Sequence, residues 1–187
     1  FKPLTTVLII AMAWPRGRDT PVLRRRVLAG LVLSLVGDVA LMWPKAGFLP
    51  GLVSFLLAHL AYLVAFTRVQ RFGARWLPFV AYAAVAGAVL TLLWPGVPGG
   101  LRLPVVLYVL ALASMAAQAA VLWRAAPADA AARRLALGGA LFLLSDALLA
   151  SNRFAGPLPL ASLWVLATYW LAQVCIASWL APPRSGG

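Results

Sequence analysis

Long apolar runs separated by short polar or turn-rich connections recur from one end of the chain to the other. Six are long enough to cross a membrane as helices: Val27–Trp43, Phe48–Phe66, Trp76–Trp94, Leu103–Trp123, Leu135–Ala150 and Leu158–Leu180. Crossing the hydrocarbon layer takes about 20 residues, somewhat fewer where flanking side chains adapt. A seventh run, Leu4–Trp14, is shorter and approaches that length only with residues 1–3 added. The runs break at Trp43-Pro44-Lys45, at Trp94-Pro95-Gly96 and at Gly156-Pro157. Proline and glycine end helices there, where water can satisfy the freed backbone groups. Trp14, Trp43, Trp76, Trp94, Trp123 and Trp179 stand near the predicted ends, where interfacial anchors belong. The pattern predicts an all-α fold, a polytopic transmembrane helix bundle of seven spans forming a single domain over residues 1–187.

Composition identifies the solvent. Hydrophobic residues make up 64% of the chain and charged residues 11%, so most of the surface must face lipid. A net charge of +12 would suggest nucleic acid in a soluble protein. Here the basic residues gather in short clusters between apolar runs, which suits anionic lipid head groups and argues against nucleic acid. Their distribution also orients the chain. Arg16, Arg18, Arg24, Arg25, Arg26, Arg68, Arg71, Arg75, Arg124, Arg133, Arg134 and Arg184 fall on one side of the alternation, and Lys2, Lys45, Arg102 and Arg153 on the other. Twelve against four predicts that the first side is cytoplasmic, with the C-terminus, in a multi-pass protein of the plasma or cell inner membrane. The single cysteine, Cys175, lies in an apolar run and forms no internal disulfide.

Against this background a few polar residues stand out. Asp38 precedes Trp43, and Asp146 precedes Ser151, by the same interval, which puts each about 7 to 8 Å inside the outer edge. An ionisable group within a span costs about 2.5 to 3.5 kcal/mol on insertion scales and is by default a candidate for function. A structural role, with serines such as Ser34 and Ser145 or the cation of Lys2 tying the acids down, is the competing reading. His59, the only histidine, counts to about 16 Å inward and Tyr169 to a similar depth. Tyr62 shares the His59 face, and Gln173 the Tyr169 face. These residues predict a polar seam that shapes or polarises a pocket; a lone histidine with no cysteine or glutamate nearby is a poor metal site, and no metal or cofactor is implied. Tyr108, Met115 and Gln118 share a face and read as core. Thr5 and Thr6 bond back to their own helix, Lys2 snorkels to the surface, and Arg153 beside Asn152 can meet a head-group phosphate.

Taken together, Lys2-Pro3-Leu4-Thr5-Thr6, Gly37-Asp38, Ala58-His59 with Tyr62, Ser145-Asp146, Asn152-Arg153-Phe154 and Thr168-Tyr169 with Gln173 resemble the YhhN family of membrane proteins. That family includes the lysoplasmalogenases, which cleave the vinyl ether bond of lysoplasmalogens. The resemblance implies an eight-helix fold from which the first helix is missing here. It also implies a hydrolase with Asp38 and Asp146 as its catalytic pair, a lysophospholipid as substrate, and a fatty aldehyde and a glycerophospho-alcohol as products. Lys2, Thr5, Thr6, Ser34, His59, Tyr62, Ser145, Asn152, Arg153, Tyr169 and Gln173 are then the candidates for the substrate pocket. A proton-coupled transporter or lipid-binding protein that uses the same aspartates as a proton relay is the alternative.

Overall fold

A computed structural model describes residues 2–43 and 46–182. Lys45 and Arg184, counted above for orientation, lie outside the described residues. Every described element is helical: α1 Lys2–Ala13, α2 Pro21–Ala40, α3 Phe48–Phe66, α4 Trp76–Leu93, α5 Arg102–Ala125, α6 Ala130–Phe154 and α7 Ala161–Ser178, with two 3₁₀ turns, Trp94–Gly96 and Gly99–Leu101, between α4 and α5. Proline opens α2, where its missing N–H and fixed φ cost nothing. Asp129 caps α6 by accepting from the Ala131 N–H at 2.8 Å.

Five segments are long and apolar enough to cross a membrane: Phe48–Phe66, Trp76–Gly96, Gly99–Ala125, Ala130–Phe154 and Ala161–Ser178. The expected count of seven is met only in helices. At 12 residues, α1 is about 18 Å long, well short of the roughly 30 Å hydrocarbon layer. The 20 residues of α2 suffice in length, but the helix runs back through Arg24, Arg25 and Arg26 and holds Asp38 near its other end. The chain is a multi-helix membrane protein by the apolar character of its exterior as well. Leu8, Val36, Leu92, Leu107 and Leu137 are all exposed, a surface that water would not tolerate over so wide an area.

The helices α1, α2, α3, α5, α6 and α7 close into a ring, each packed on the next and α7 back on α1. Outside this ring α4 lies against α5 and touches α6 only lightly. Small residues let the ring close tightly. A Cβ on Gly30 would stand 2.3 Å from the Tyr62 ring, and one on Gly37 2.6 Å from the Phe55 ring, so α3 can approach α2 only because both are glycine. Gly139 does the same toward Ala116 of α5, and Gly138 toward Cys175 and Ala172 of α7. Close approach through small residues is how helices associate where lipid removes the hydrophobic drive between them. Ser54 of α3 donates to the Leu33 carbonyl at 2.7 Å and Ser145 of α6 to the Val165 carbonyl at 3.0 Å, adding polar ties across two of these contacts.

In the middle of the ring stands Phe142, fully buried, its ring edge-on to His59 (4.6 Å), Tyr169 (5.5 Å) and Phe55 (6.4 Å). This aromatic block separates two polar clusters.

Candidate functional site

The first cluster joins α1, α2 and α7 around Asp38. The first turn of α1 brings Lys2 Nζ to 3.1 Å from Asp38 Oδ1. Thr6, one turn on, donates to Oδ2 at 2.5 Å, and Tyr169 of α7 donates to the same oxygen at 2.9 Å. The Lys2 ammonium also lies 4.8 Å from the Tyr169 ring centre and 5.3 Å from that of Phe55. Behind Tyr169 the hydrogen bonds run in one direction. Tyr62 donates to Gln173 Oε1 at 2.8 Å, and Gln173 Nε2 donates to the Tyr169 oxygen at 3.2 Å. Each hydroxyl gives its single proton toward Asp38, whose neighbours are all donors. That is the surrounding of a carboxylate.

A second cluster joins α3, α5 and α6 around Asp146. Tyr108 donates to Asp146 Oδ2. With its proton so used, the Tyr108 oxygen accepts from His59 Nε2 at 3.0 Å, which sets the imidazole as the Nε2–H tautomer. The same nitrogen lies 3.7 Å from Asp146 Oδ2. His59 Nδ1 is buried with no hydrogen-bond partner among the described residues.

Between the clusters opens a cavity of about 360 Å³. Its wall is apolar except for Lys2, Tyr108, Ser145, Asp146 and Tyr169. The apolar lining comes mostly from α3, from one face of α4, and from α5 and α6, with Leu41, Val97 and Val165 added from elsewhere. Asp146 reaches this space with 14% of its side chain exposed, whereas the Asp38 side chain is fully buried and is represented at the wall only by its partners Lys2 and Tyr169. Among the described residues no hydrogen bond joins the two carboxyls. Each aspartate has partners of its own, and the cavity stands between their networks.

The remaining expected residues divide. Tyr62 and Gln173 are buried behind Tyr169, in its relay. Ser34 is buried between Gly30 and Gly37 on the α2 face that meets α3. Ser145 lines the cavity but spends its proton on Val165 rather than on Asp146. Asn152 Oδ1 accepts from the Leu158 N–H at 2.9 Å and so fastens the turn after α6. The Arg153 guanidinium lies 3.9 Å from the ring centre of Phe48, a cavity-wall residue. Thr5 is half-buried on α1 beside the cluster residue Thr6. Tyr108 is the residue that sequence reasoning placed elsewhere, in the core. Its signal was a hydroxyl inside the otherwise apolar Val105–Leu110 stretch, and only the pairing of α5 with α6 turns that hydroxyl into a partner for Asp146.

The profile of the YhhN family matches residues 1–180. The chain belongs to the YhhN family. Among curated relatives, the lysoplasmalogenase TMEM86B of Sus scrofa is 43% identical over 154 residues, which are 81% of this chain and 62% of the relative. The lysoplasmalogenase TMEM86A of Homo sapiens is 36% identical, again over 81% of this chain and 63% of its own length. The lysoplasmalogenase of Mycobacterium tuberculosis is 32% identical over 82% of this chain and 59% of its own length. This YhhN-family chain thus spans about three-fifths of the relatives it matches. No solved structure matches it.

Proposed function

We propose that the chain is a membrane hydrolase that cleaves the vinyl ether bond of a lysoplasmalogen, with Asp146 as the proton donor. The observation that carries this reading is a single partly exposed carboxyl, braced by a tyrosine, on the wall of an otherwise apolar cavity in a chain whose relatives are named lysoplasmalogenases. Such a wall accepts a hydrocarbon chain and presents one acid to the bond at its polar end.

Protonated Asp146 delivers its proton to the vinyl carbon remote from oxygen, and the adjacent carbon becomes an oxocarbenium ion. The carboxylate left behind faces that cation and stabilises it, then takes a proton from the water that adds to it. The resulting hemiacetal collapses to aldehyde and alcohol as its hydroxyl proton passes to the departing glycerol oxygen. One water is consumed and Asp146 ends protonated, as it began. Tyr108 and His59 hold the Asp146 carboxyl in place. Asp38 acts through Lys2 and Tyr169, fixing their polar ends at the cavity wall. In this reading all seven helices are embedded in the bilayer, the basic-rich side and C-terminus are cytoplasmic, and Arg153 lies at the outer end to meet the phosphate of the head group.

The test is aldehyde release by purified protein in vesicles from a lysoplasmalogen, with the corresponding saturated ether as control. Turnover of the vinyl ether alone, slowed in heavy water by the proton transfer to carbon, is expected. Equal turnover of both ethers, or of neither, contradicts the assignment.

A further inference from the structure

The cavity extends beyond its polar wall in two directions. One arm leads toward the outer helix ends, past Phe48 and Phe154. The other runs inward, along Val109 and Leu112 of α5, Ala140 and Leu144 of α6, and Val85 of α4. Along α5 these residues follow Tyr108, and along the antiparallel α6 they precede Asp146, so the arm begins where the acid is and leads away from the outer surface. It contains no polar side chain. Leu112 at its inner side is 2% exposed, whereas Leu144 and Val85, which line the same space, are 48% and 54% exposed. The lining of this arm thus runs from a buried residue of α5 to accessible residues of α4 and α6, two helices that meet only lightly.

The attachment of α4 explains where that contact is light. At one end Gln118 of α5 holds the loop before α4, donating to the Gln70 carbonyl at 2.8 Å and accepting from the Gly73 N–H. At the other, Gly96 lies so close to Phe154 that a Cβ would stand 1.9 Å from its carbonyl oxygen. Both ends are fastened, and the length between meets α6 only lightly.

We propose, building on the lysolipid reading above, that the substrate's hydrocarbon chain occupies this inner arm and slides into it sideways from the bilayer, between α4 and α6. The head group cannot take the inner arm, because its charges would have no partner there. The chain can, and it places the bond to be cleaved beside Asp146 with the head group directed outward. A sideways route also keeps the chain in apolar surroundings throughout, whereas threading it through water exposes each methylene in turn.

The test uses the full chain in phosphatidylcholine vesicles with a lysophospholipid carrying a photoreactive diazirine at the end of its chain. Leu112 is too buried for bulk lipid to reach, so its labelling reports a chain inside the arm. Labelling of Leu112 in the wild type, competed by unlabelled lysolipid and lost in Ala140→Trp and Val85→Trp, is the expected result. If either variant fails to fold, a bifunctional thiol reagent joining Val85→Cys to Leu144→Cys in the folded Cys175→Ser protein closes the same seam and must abolish the label. Labelling confined to the outer arm would overturn the chain site, and Leu112 labelling that survives closure of the seam would overturn the sideways route. Aldehyde release is measured in the same vesicles. Its absence alongside intact Leu112 labelling counts against the hydrolase and for the chain site.

Discussion

A carboxylate that meets only donors, as Asp38 does with Lys2, Thr6 and Tyr169, is held by its charge, while one with part of its surface on a cavity, as Asp146 has, is free to exchange a proton with whatever enters. The two aspartates should therefore respond differently to the same change. Asp146→Asn removes the transferable proton but keeps an oxygen for Tyr108, so turnover should fall at least about 100-fold while the melting temperature holds. Asp38→Asn leaves the Lys2 ammonium without its counter-charge in a largely enclosed site, and breaking a buried pair in this way costs about 3 to 5 kcal/mol. It should lower the melting temperature as well as turnover. Adding Lys2→Met to Asp38→Asn should recover stability and not activity; a double variant no more stable than Asp38→Asn would show that the ion pair is not what holds α1 to α2. Tyr108→Phe isolates the other cluster. It strips Asp146 of its tyrosine donor and takes the hydrogen-bond partner of His59 Nε2, so the pH profile of turnover should move, whereas Met115→Leu, a core change on the same helix, should leave it in place. An unchanged profile in Tyr108→Phe would reduce Tyr108 to packing.

Helix boundaries show what an apolar pattern can and cannot carry. For α3, Phe48–Phe66 was legible to the residue, since Pro44 and Gly47 interrupt the apolar sequence before it and a polar stretch follows. For α2 and α6 the apolar runs began at Val27 and Leu135, but the helices begin at Pro21 and Ala130. Arginine breaks an apolar run without breaking a helix, because it is a good helix former and its long stem carries the charge out to water. The other ends move as well, α2 stopping at Ala40 and α6 running on to Phe154, and this changes the apparent match in depth: Asp38 lies in the last turn of α2, and Asp146 more than two turns before the end of α6. The residue types at the site were visible as polar interruptions in apolar spans. Their pairing was not, because Lys2 with Asp38 and Tyr108 with Asp146 depend on which helices become neighbours. The glycines were likewise visible, but not which were needed. Gly30→Ala drives a methyl into the Tyr62 ring and should cost about 1 to 3 kcal/mol, as overpacking does. Gly87 of α4 has nothing within 4 Å of the added carbon, so Gly87→Ala should be neutral or stabilising by about 0.5 to 1 kcal/mol. Thermal unfolding in detergent compares them directly, and equal losses would mean that the α2–α3 contact is not tightly packed.

The charge pattern acts on the molecule as a whole. Arg24, Arg25 and Arg26 open α2, Arg124 ends α5, and Arg133 and Arg134 begin α6, so helices running in opposite directions place their arginines at one end of the ring. Loops rich in lysine and arginine stay on the cytoplasmic side during insertion, because moving them across is opposed by the membrane potential and by attraction to anionic lipid. At the other end Lys2 is already paired with Asp38 and Arg153 is stacked on Phe48, so two of the few cations at that end are held by the protein itself. The bundle should therefore insert in one orientation. In a Cys175→Ser background, an impermeant thiol reagent added to intact cells should label Arg102→Cys and not Arg71→Cys, and both should react once the membrane is opened. The outer arm of the cavity, with Phe48 and Phe154, would then face the outside, and a lysolipid supplied externally would meet the site without crossing the bilayer. Labelling of Arg71→Cys alone in intact cells would invert the bundle, place the outer arm against the cytoplasm, and require the lysolipid to come from the inner leaflet.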